Sequence, residues 1–354
     1  MTTPNLVMSK DMTFDQFVRA MDSVGYLPVD LHALMSLYNT VKESFYAKQG
    51  DPFPTIILDG PPGVGKSYMA KCLKALLKAE YLQYNCHPDS SAEEVIRDIN
   101  TLVHVLSQSG LANKQYTMED MFIYGQLYDA IRQSNVGPAV LLFDELDKVR
   151  SSFEALLLGF LNDGYISVPG LGEDFGVKRL FGKPENLIVV ITKNDERDLG
   201  LPMLRRGNVI HMAYPKHSVE TQMLMDLAGI GEEAAKSMAT QANSLRQNKG
   251  ISKPPSSPEL VRLARNFLRI AQNDVVEGVG PDGKKRLECR VPKSILNQSF
   301  INGFLPIKHE QPIGRKVLNN KGSGTALLHR ILVGMGVPDQ KIIHKSERDV
   351  ISGK

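Results

Sequence analysis

The stretch that decides how this chain folds is Gly60-Pro61-Pro62-Gly63-Val64-Gly65-Lys66-Ser67. It matches the pattern G-x-x-x-x-G-K-[ST], in which glycines let the backbone curve around a phosphate group so that successive N–H groups point at its oxygens. Residues 55–59 predict a strand before it, and the apolar spacing of residues 66–79 predicts a helix after it. We therefore expect a phosphate-binding loop, with Lys66 between the β- and γ-phosphates and Ser67 on Mg²⁺. A plain glycine turn is the alternative.

Outward from this loop, short apolar runs alternate with helical patterns. Phe153, Leu157 and Leu161 repeat at helical spacing and predict a helix that ends at Asn162-Asp163-Gly164. The other strand candidates are residues 81–85, 139–143, 187–191 and 209–213. Strands separated by helices form parallel sheets that are covered on both faces. The predicted fold class is therefore α/β, with a five-stranded parallel sheet.

After Tyr214-Pro215 the pattern becomes helical. Apolar positions recur at helical spacing in residues 219–227, 232–248 and 258–271. Two short runs around Pro281-Asp282-Gly283 predict a β-hairpin at 275–291, inserted among these helices. The expected organisation is a helical segment at 1–27, an α/β nucleotide-binding core at 28–214, a helical lid domain at 215–304 and a basic C-terminal extension at 305–354.

Length and composition exclude several protein classes. At roughly 100–200 residues per domain, 354 residues predict two or three domains. Lys and Arg number 42 against 39 Asp and Glu, which excludes a DNA-coating protein with a large positive excess. No apolar run approaches the ~20 residues that cross a bilayer, and residues 1–16 lack the apolar core of a secretory signal. Three cysteines without C-x-x-C spacing are typical of a reducing cytoplasm, so we expect a cytoplasmic protein without membrane contact.

An acidic pair ends a buried strand at Val140-Leu-Leu-Phe-Asp144-Glu145. Buried carboxylates are costly unless they are paired or bind a metal ion. We expect Asp144 to hold the Mg²⁺ shell and Glu145 to polarise the attacking water. An Asp that caps the following helix is the alternative.

Two further polar features lie at the ends of predicted strands. Asn194 follows the fourth strand, where we expect it to orient the lytic water towards the γ-phosphate; a turn residue is the alternative. Arg205 and Arg206 precede the fifth strand. They are either solvated surface residues or an arginine finger that reaches the γ-phosphate bound by a neighbouring subunit.

These four elements, in this order and spacing, resemble the AAA+ ATPases. Further motifs resemble the MoxR-like, helix-2-insert branch of that superfamily over about residues 28–272. They are Asn85-Cys-His87-Pro-Asp89 with Ala92-Glu-Glu94, Asp144-Glu-Leu-Asp-Lys148, Val168-Pro-Gly-Leu-Gly172, Thr192-Lys-Asn-Asp-Glu-Arg197, Leu204-Arg-Arg206, and Lys253-Pro-Pro-Ser256 with Glu259.

The resemblance implies an ATPase that converts ATP and water to ADP and phosphate, with Mg²⁺ as cofactor. It implies nucleotide contacts at Gly60, Pro61, Pro62, Gly63, Val64, Gly65, Lys66, Ser67 and Tyr68. It assigns Ser67 and Asp144 to the metal ion. It also implies the catalytic set: Lys66, Glu145 as base, Asn194 as sensor 1, and Arg206 as arginine finger with Arg205 as the alternative.

The resemblance also implies assembly and a partner. The chain is expected to form a homo-hexameric ring, with inserts within about residues 96–124 and 165–185 that face the pore or the substrate. The expected function is a MoxR-like chaperone that remodels or activates a partner protein, with a protein substrate or an adaptor of von Willebrand type. Intact Glu145 and Asn194 disfavour a scaffold with little hydrolysis.

The alternative function is a nucleic-acid-associated motor or loader. Residues 305–354 carry nine Lys and Arg against four Asp and Glu, and such a basic tail can contact phosphates. The same charge is also common in flexible solubilising tails.

One position departs from the resembled pattern. Pro258 stands where a sensor-2 arginine is expected, at the start of the lid helix. Arg262 follows one turn later and shares a helix face with Arg265 and Arg269, which is also the pattern of a solvated basic stripe. The assignment of sensor 2 is open at this point.

Overall fold

The computed structural model describes residues 8–26, 30–109, 119–169, 176–194, 196–279, 285–305, 311, 323–337 and 342–345. The chain divides into two compact units, Met1–Ala213 and Tyr214–Lys354. Within the described ranges, none of the helices has the length and apolar character of a membrane span.

The first unit alternates helices with strands. Its helices are α1 (Phe14–Ser23), α2 (Leu31–Ser44), α3 (Lys66–Leu77), α4 (Ala92–Ile96), α5 (Thr101–Ser109), α6 (Gln126–Ser134), α7 (Ser151–Asp163) and α8 (Leu201–Leu204). Its strands are β1 (Thr55–Asp59), β2 (Glu80–Asn85), β3 (Arg97–Ile99), β4 (Phe122–Tyr124), β5 (Ala139–Asp144), β6 (Tyr165–Pro169), β7 (Val177–Phe181), β8 (Leu187–Lys193) and β9 (Asn208–His211).

A five-stranded parallel sheet with the order β2-β5-β8-β1-β9 organises the first unit. β8 is buried along its whole length, and β1 and β5 are buried in all but their last residue. A strand that is covered on both faces is a continuous apolar run, which is why these three strands could be recognised in the sequence. The predicted α/β class with five parallel strands is confirmed.

Helices cover both faces of this sheet. Because successive side chains of a strand point to opposite faces, β1 contributes to two separate cores. Ile57 belongs to the core that contains Leu127 of α6 and Phe153 of α7. Ile56 belongs to the core that contains Phe17 of α1, so the N-terminal helix packs as part of the first unit.

Two small antiparallel ribbons are added to this frame. β3 pairs with β4, and β6 pairs with β7. They lie within the two segments that the family resemblance marks as inserts. Residues 110–118 and 170–175 lie outside the described residues, and so do the last three residues of the motif Val168-Pro-Gly-Leu-Gly172.

The second unit is built from helices and one small sheet. Its elements are α9 (His217–Ala228), α10 (Glu232–Arg246), α11 (Ser257–Asn273), β10 (Val275–Val279), β11 (Lys285–Cys289), α12 (Lys293–Phe304), α13 (Gly324–Gly334) and β12 (Ile342–His344). β10 and β11 pair antiparallel, which confirms the inserted hairpin. Its predicted turn, Pro281-Asp282-Gly283, lies outside the described residues.

Part of the predicted C-terminal extension is folded into the second unit. α13 buries Leu327, Leu328, Ile331 and Leu332 in the core of this unit, and β12 pairs in parallel with β11. These four apolar residues lie at helical spacing, a signal that the glycines on both sides obscured. The rest of the extension, at 306–310, 312–322, 338–341 and 346–354, lies outside the described residues.

A buried ion pair ties three helices of the second unit together. The guanidinium group of Arg246 donates to both carboxylate oxygens of Glu220 at 2.7 and 2.9 Å, and the two side chains are 6% and 2% exposed. Ser257 Oγ donates to the same carboxylate at 2.6 Å, and Arg246 Nε donates to the Pro255 carbonyl at 2.9 Å. A buried pair is tolerated only when its hydrogen-bonding groups are satisfied in this way. The pair fixes the start of α11 against α9 and α10.

Candidate active site

The loop between β1 and α3 has a backbone that requires glycine. Gly60, Gly63 and Gly65 have φ angles of 154°, 76° and 99°, where side chains other than hydrogen are disfavoured. A Cβ atom on Gly60 would lie 2.1 Å from the carbonyl oxygen of Met212, the residue after β9. A Cβ on Gly65 would meet nothing within 4 Å, so the loop borders open space there. The loop is therefore both tightly packed at its base and accessible at its mouth.

Lys66 connects this loop to the end of β8. Its Nζ donates to the carbonyl oxygens of Gly60 and Pro61, the latter at 2.9 Å, and to Asn194 Oδ1 at 2.8 Å. The side chains of Lys66 and Asn194 are both buried. Three oxygen acceptors therefore hold a buried ammonium group at the N-terminus of α3.

Asp144, at the end of β5, collects donors from three other elements. Its carboxylate accepts hydrogen bonds from Ser67 Oγ at 2.8 Å, from Thr192 Oγ1 at 2.6 Å and from Gln83 Nε2 at 3.2 Å. The structure thus brings the predicted pair Ser67 and Asp144 together. Thr192 and Gln83 are additional site residues that sequence reasoning missed, although Thr192 directly follows one predicted strand and Gln83 lies within another.

Glu145 has an unusual backbone conformation. Its φ angle is 61°, in the left-handed region that non-glycine residues seldom adopt. Its N–H donates to Thr192 Oγ1 at 2.8 Å, which anchors the strained residue to β8. One carboxylate oxygen accepts a hydrogen bond from Asn194 Nδ2 at 3.1 Å, and the other pairs with Lys148 Nζ at 2.5 Å. The predicted residues Glu145 and Asn194 are therefore in contact.

The charge state of Glu145 follows from these contacts. The hydrogen bond from Lys148 holds the pKa of the Glu145 carboxyl below its usual range, against the opposing effect of partial burial. The same contact raises the pKa of Lys148. Glu145 is therefore ionised at neutral pH.

Asp147 holds the backbone that follows β8. Its buried carboxylate accepts hydrogen bonds from the backbone N–H groups of Asn194 and Glu196, at 3.0 and 3.3 Å. Arg197 Nε donates to the Asp147 carbonyl at 3.2 Å. Asp147 lies in the quoted motif but was not identified as a site residue, because its role depends on a turn 47 residues away in sequence.

A row of three ionisable side chains crosses the sheet just below the loop. Asp59, Lys193 and His211 are register partners at the ends of β1, β8 and β9. Lys193 Nζ lies 3.3 Å from one Asp59 oxygen, and His211 Nδ1 lies 3.0 Å from the other. Gly60 and Asn194 are the next residues along β1 and β8, so this row fixes the two strand ends from which the site is built.

Arg205 and Arg206 lie away from these groups within one chain. Both are exposed, and they line an open cavity of about 500 Å³. They precede β9, which runs parallel to β1 and begins beside Thr55 and Ile56. The two arginines therefore lie at the amino edge of the sheet, whereas Lys66 and Glu145 follow its carboxyl edge.

The three arginines of α11 differ in their contacts. Arg265 donates to the Leu227 carbonyl from Nε at 2.9 Å and from a terminal nitrogen at 2.7 Å, so it caps the end of α9. Arg262 and Arg269 are exposed. Pro258 lies in the first turn of α11, which begins with a capping box between Ser256 and Glu259.

The donor set at Ser67 and Asp144 suits Mg²⁺ bound to a nucleotide. Hydroxyl and carboxylate oxygens are the ligands that Mg²⁺ prefers, and the ion usually keeps several waters and binds phosphates rather than an all-protein cage. In the part of the chain that the structure describes, no three His, Cys, Asp or Glu side chains converge on a metal site. One carboxylate and one hydroxyl beside a phosphate-binding loop therefore fit Mg²⁺ that arrives with ATP.

The close approach at Gly60 can be tested by substitution. We expect Gly60→Ala to lower the free energy of local opening of β1 and β9, and to do so by about 1–3 kcal/mol more than a control substitution. The reason is that the new methyl group forces the loop away from Met212. Gly50→Ala is the matched control, since Gly50 has a φ angle of 94° but no atom within 4 Å of its added Cβ. Hydrogen exchange of the two strands measures the difference. Equal protection of the β1 and β9 amides from exchange in both variants would contradict the close packing of Gly60 against Met212.

Comparisons with known proteins find a family match over the part of the chain that holds this site. Residues 55–206 match the family model described as AAA domain (dynein-related subfamily). This match begins at β1 and contains the loop, Asp144, Glu145 and Asn194, and it ends at Arg206.

Relatives match over part of the chain. The mitochondrial Lon protease homolog of Yarrowia lipolytica is 26% identical over 171 residues, which are 45% of this chain and 12% of that protein. The Lon protease of Mycoplasma mobile is 24% identical over 184 residues, 51% of this chain and 20% of that protein. The chain thus spans at most a fifth of the length of these relatives.

A solved structure of a mutant RuvB from Thermotoga maritima has a TM-score of 0.42 at 14% identity, covering 73% of this chain and 67% of that one. Residues 55–206 are thus similar to an AAA domain, and this similarity supports ATP hydrolysis by the chain.

Proposed function

We propose that this chain is a MoxR-like AAA+ protein that couples Mg²⁺–ATP hydrolysis to the remodelling or activation of a partner protein. The observation that carries the proposal is the continuous contact from Lys66 through Asn194 to Glu145. It joins a phosphate-binding loop to an ionised carboxylate, as ATP hydrolysis requires.

Lys66 binds the β- and γ-phosphates. Its ammonium group is held against the loop by neutral oxygen acceptors, and hydrogen bonds to ionised phosphate oxygens are stronger than those it gives up. The N-terminus of α3 adds its dipole to the same place. Ser67 and Asp144 hold Mg²⁺, which neutralises part of the triphosphate charge when it is bound.

Glu145 acts as the general base. Its ionised carboxylate takes a proton from water as the water oxygen attacks the γ-phosphorus. The bond from that phosphorus to the bridging oxygen of ADP breaks, so that ADP and phosphate are the products. Asn194 orients the carboxylate and the water, since its side chain contacts both Lys66 and Glu145.

Arg206 completes the site of a neighbouring subunit, with Arg205 as the alternative. Its position at the amino edge of the sheet supports this, because it lies far from Lys66 of its own chain. Its guanidinium group stabilises the charge that develops on the transferred phosphoryl group. This arrangement requires a head-to-tail contact between subunits, and we propose that it closes as a homo-hexameric ring.

The partner of this ring is a protein substrate or an adaptor of von Willebrand type. The resemblance to the MoxR-like branch supports this proposal. A second support is α5, in the insert after α4, where Leu102 and Val105 lie one turn apart and are 69% and 56% exposed. Exposed apolar side chains fit a protein surface better than a phosphate backbone.

The roles of Lys66 and Glu145 predict different defects. We expect Lys66→Ala to weaken ATP binding at least about tenfold, because it removes charge-assisted hydrogen bonds to phosphate. We expect Glu145→Gln to bind ATP normally and to hydrolyse it about 10²- to 10⁴-fold more slowly, because the general base is lost. Binding is measured with a fluorescent nucleotide and turnover by phosphate release. The controls are Lys71→Ala, at an exposed position of α3, and Glu233→Gln, at an exposed position of α10. Full turnover by Glu145→Gln would refute the assignment.

The role of Arg206 predicts complementation between subunits. Arg206→Ala and Lys66→Ala are each expected to be inactive alone, since loss of an arginine finger costs about 10³–10⁵ in rate. When the two variants are mixed at equal ratio, we expect about a quarter of the sites to be active. At these sites, an intact phosphate-binding loop of one subunit faces an intact Arg206 of its neighbour. If Arg205→Ala complements instead, the finger is Arg205. No recovery with either arginine variant would contradict a site shared between subunits.

The nature of the partner can be tested with the Glu145→Gln ring. We load this ring with ATP and mix it with an extract of the cells that naturally make the chain. We expect the ring to retain a bound protein after nuclease treatment. Adding Leu102→Ser and Val105→Ser should reduce that retention and leave ATP binding unchanged. The parallel measurement is the ATPase rate of the wild-type chain with and without DNA. Stimulation by DNA, with nuclease-sensitive retention, would favour a nucleic-acid motor instead.

A further inference from the structure

We infer that Lys148 is a positioning residue for the hydrolytic step, and that it holds the Glu145 carboxylate in the place from which it takes a proton from water. The inference rests on the proposed role of Glu145. It assigns a function to a lysine three residues after the proposed base.

The first argument is that Glu145 is held at both carboxylate oxygens by different elements. Asn194 Nδ2, after β8, donates to Oε1 at 3.1 Å, and Lys148 Nζ donates to Oε2 at 2.5 Å. A carboxylate fixed at one oxygen alone rotates about its last side-chain bond, which has a broad energy profile. The second contact is therefore the one that fixes its orientation.

The second argument is the backbone that carries the pair. Glu145 has a φ angle of 61°, and the Lys148 N–H donates to the Glu145 carbonyl at 3.1 Å, which closes a tight turn. This turn places both side chains on one side. Strained conformations of non-glycine residues are concentrated at functional sites, where neighbouring structure holds them. A surface ion pair without a functional role would not require a residue in a strained backbone conformation.

The charges around the pair show which group sets the state of Glu145. Lys148 from its own turn and Lys66 from α3 favour the ionised carboxylate. Asp147 and Glu196 act on Lys148 and favour its charged form. Asp144 and Glu145 lie near Cys86, after β2, and the pKa of this thiol is raised mainly by burial, so it stays neutral. Lys148 is thus the largest stabiliser of the charged base.

The experiment compares Lys148→Met with Lys148→Arg in the full chain. We expect Lys148→Met to lower kcat about threefold to fivefold with KM for ATP unchanged, as the partial exposure of the pair limits its strength. Lys148→Arg keeps the charge and the hydrogen bond to Glu145, so it should restore kcat. Arg150→Met is the matched control, because it removes a nearby exposed ion pair with Asp89 that does not touch Glu145.

The outcomes separate this inference from the proposed function. If Glu145→Gln keeps full turnover, the base assignment fails and the inference with it. If Glu145→Gln is inactive but Lys148→Met retains the wild-type kcat, only the inference is overturned. It is equally overturned if Lys148→Met lowers kcat and Lys148→Arg does not restore it, or if Lys148→Met raises KM for ATP instead of lowering kcat. In the Glu145→Gln background, Lys148→Met should have no further effect on turnover, since the two residues act through one group.

Discussion

The contact between Lys66 and Asn194 is the interaction on which the site depends. A buried ammonium group is costly unless its hydrogen bonds are satisfied, and here three oxygens satisfy it. Two come from the loop itself, and the third comes from a residue 128 positions away in sequence. That third acceptor is present only because β1 and β8 are neighbours in register. The order of strands in the sheet therefore determines whether the loop has a functional partner.

The same constraint explains why the polar groups converge at one edge. Parallel strands end on the same side of a sheet, so Gln83, Asp144 and Thr192 meet although they come from three strands. Hydrogen bonds among these side chains hold each group in place. Sites supported in this way keep their geometry, because each side chain has its own partners. The row of ionisable side chains below the loop extends this support to Asp59 and Lys193.

Sequence reasoning recovered the parts of the structure that short motifs encode. The loop, the acidic pair and Asn194 could be identified because each has a local pattern beside an apolar strand. Thr192 and Lys148 could not, because their contacts depend on the register of β8 and on the left-handed turn at Glu145. The helix α13 was missed for a different reason: its apolar stripe is short, and glycines flank it on both sides. Its packing against distant helices, rather than its local pattern, stabilises it.

The position of Arg206 has a consequence for assembly. The five residues of β1 separate the amino edge, where Arg206 lies, from the loop at the carboxyl edge. At about 3.3 Å per residue, the strand alone spans about 16 Å. An arginine side chain cannot cross that distance through a packed sheet. If Arg206 contacts a phosphate at all, the phosphate belongs to another subunit, and the amino edge of one sheet must then face the carboxyl edge of the next. Such a head-to-tail contact is heterologous and closes only as a ring, or else continues as a filament.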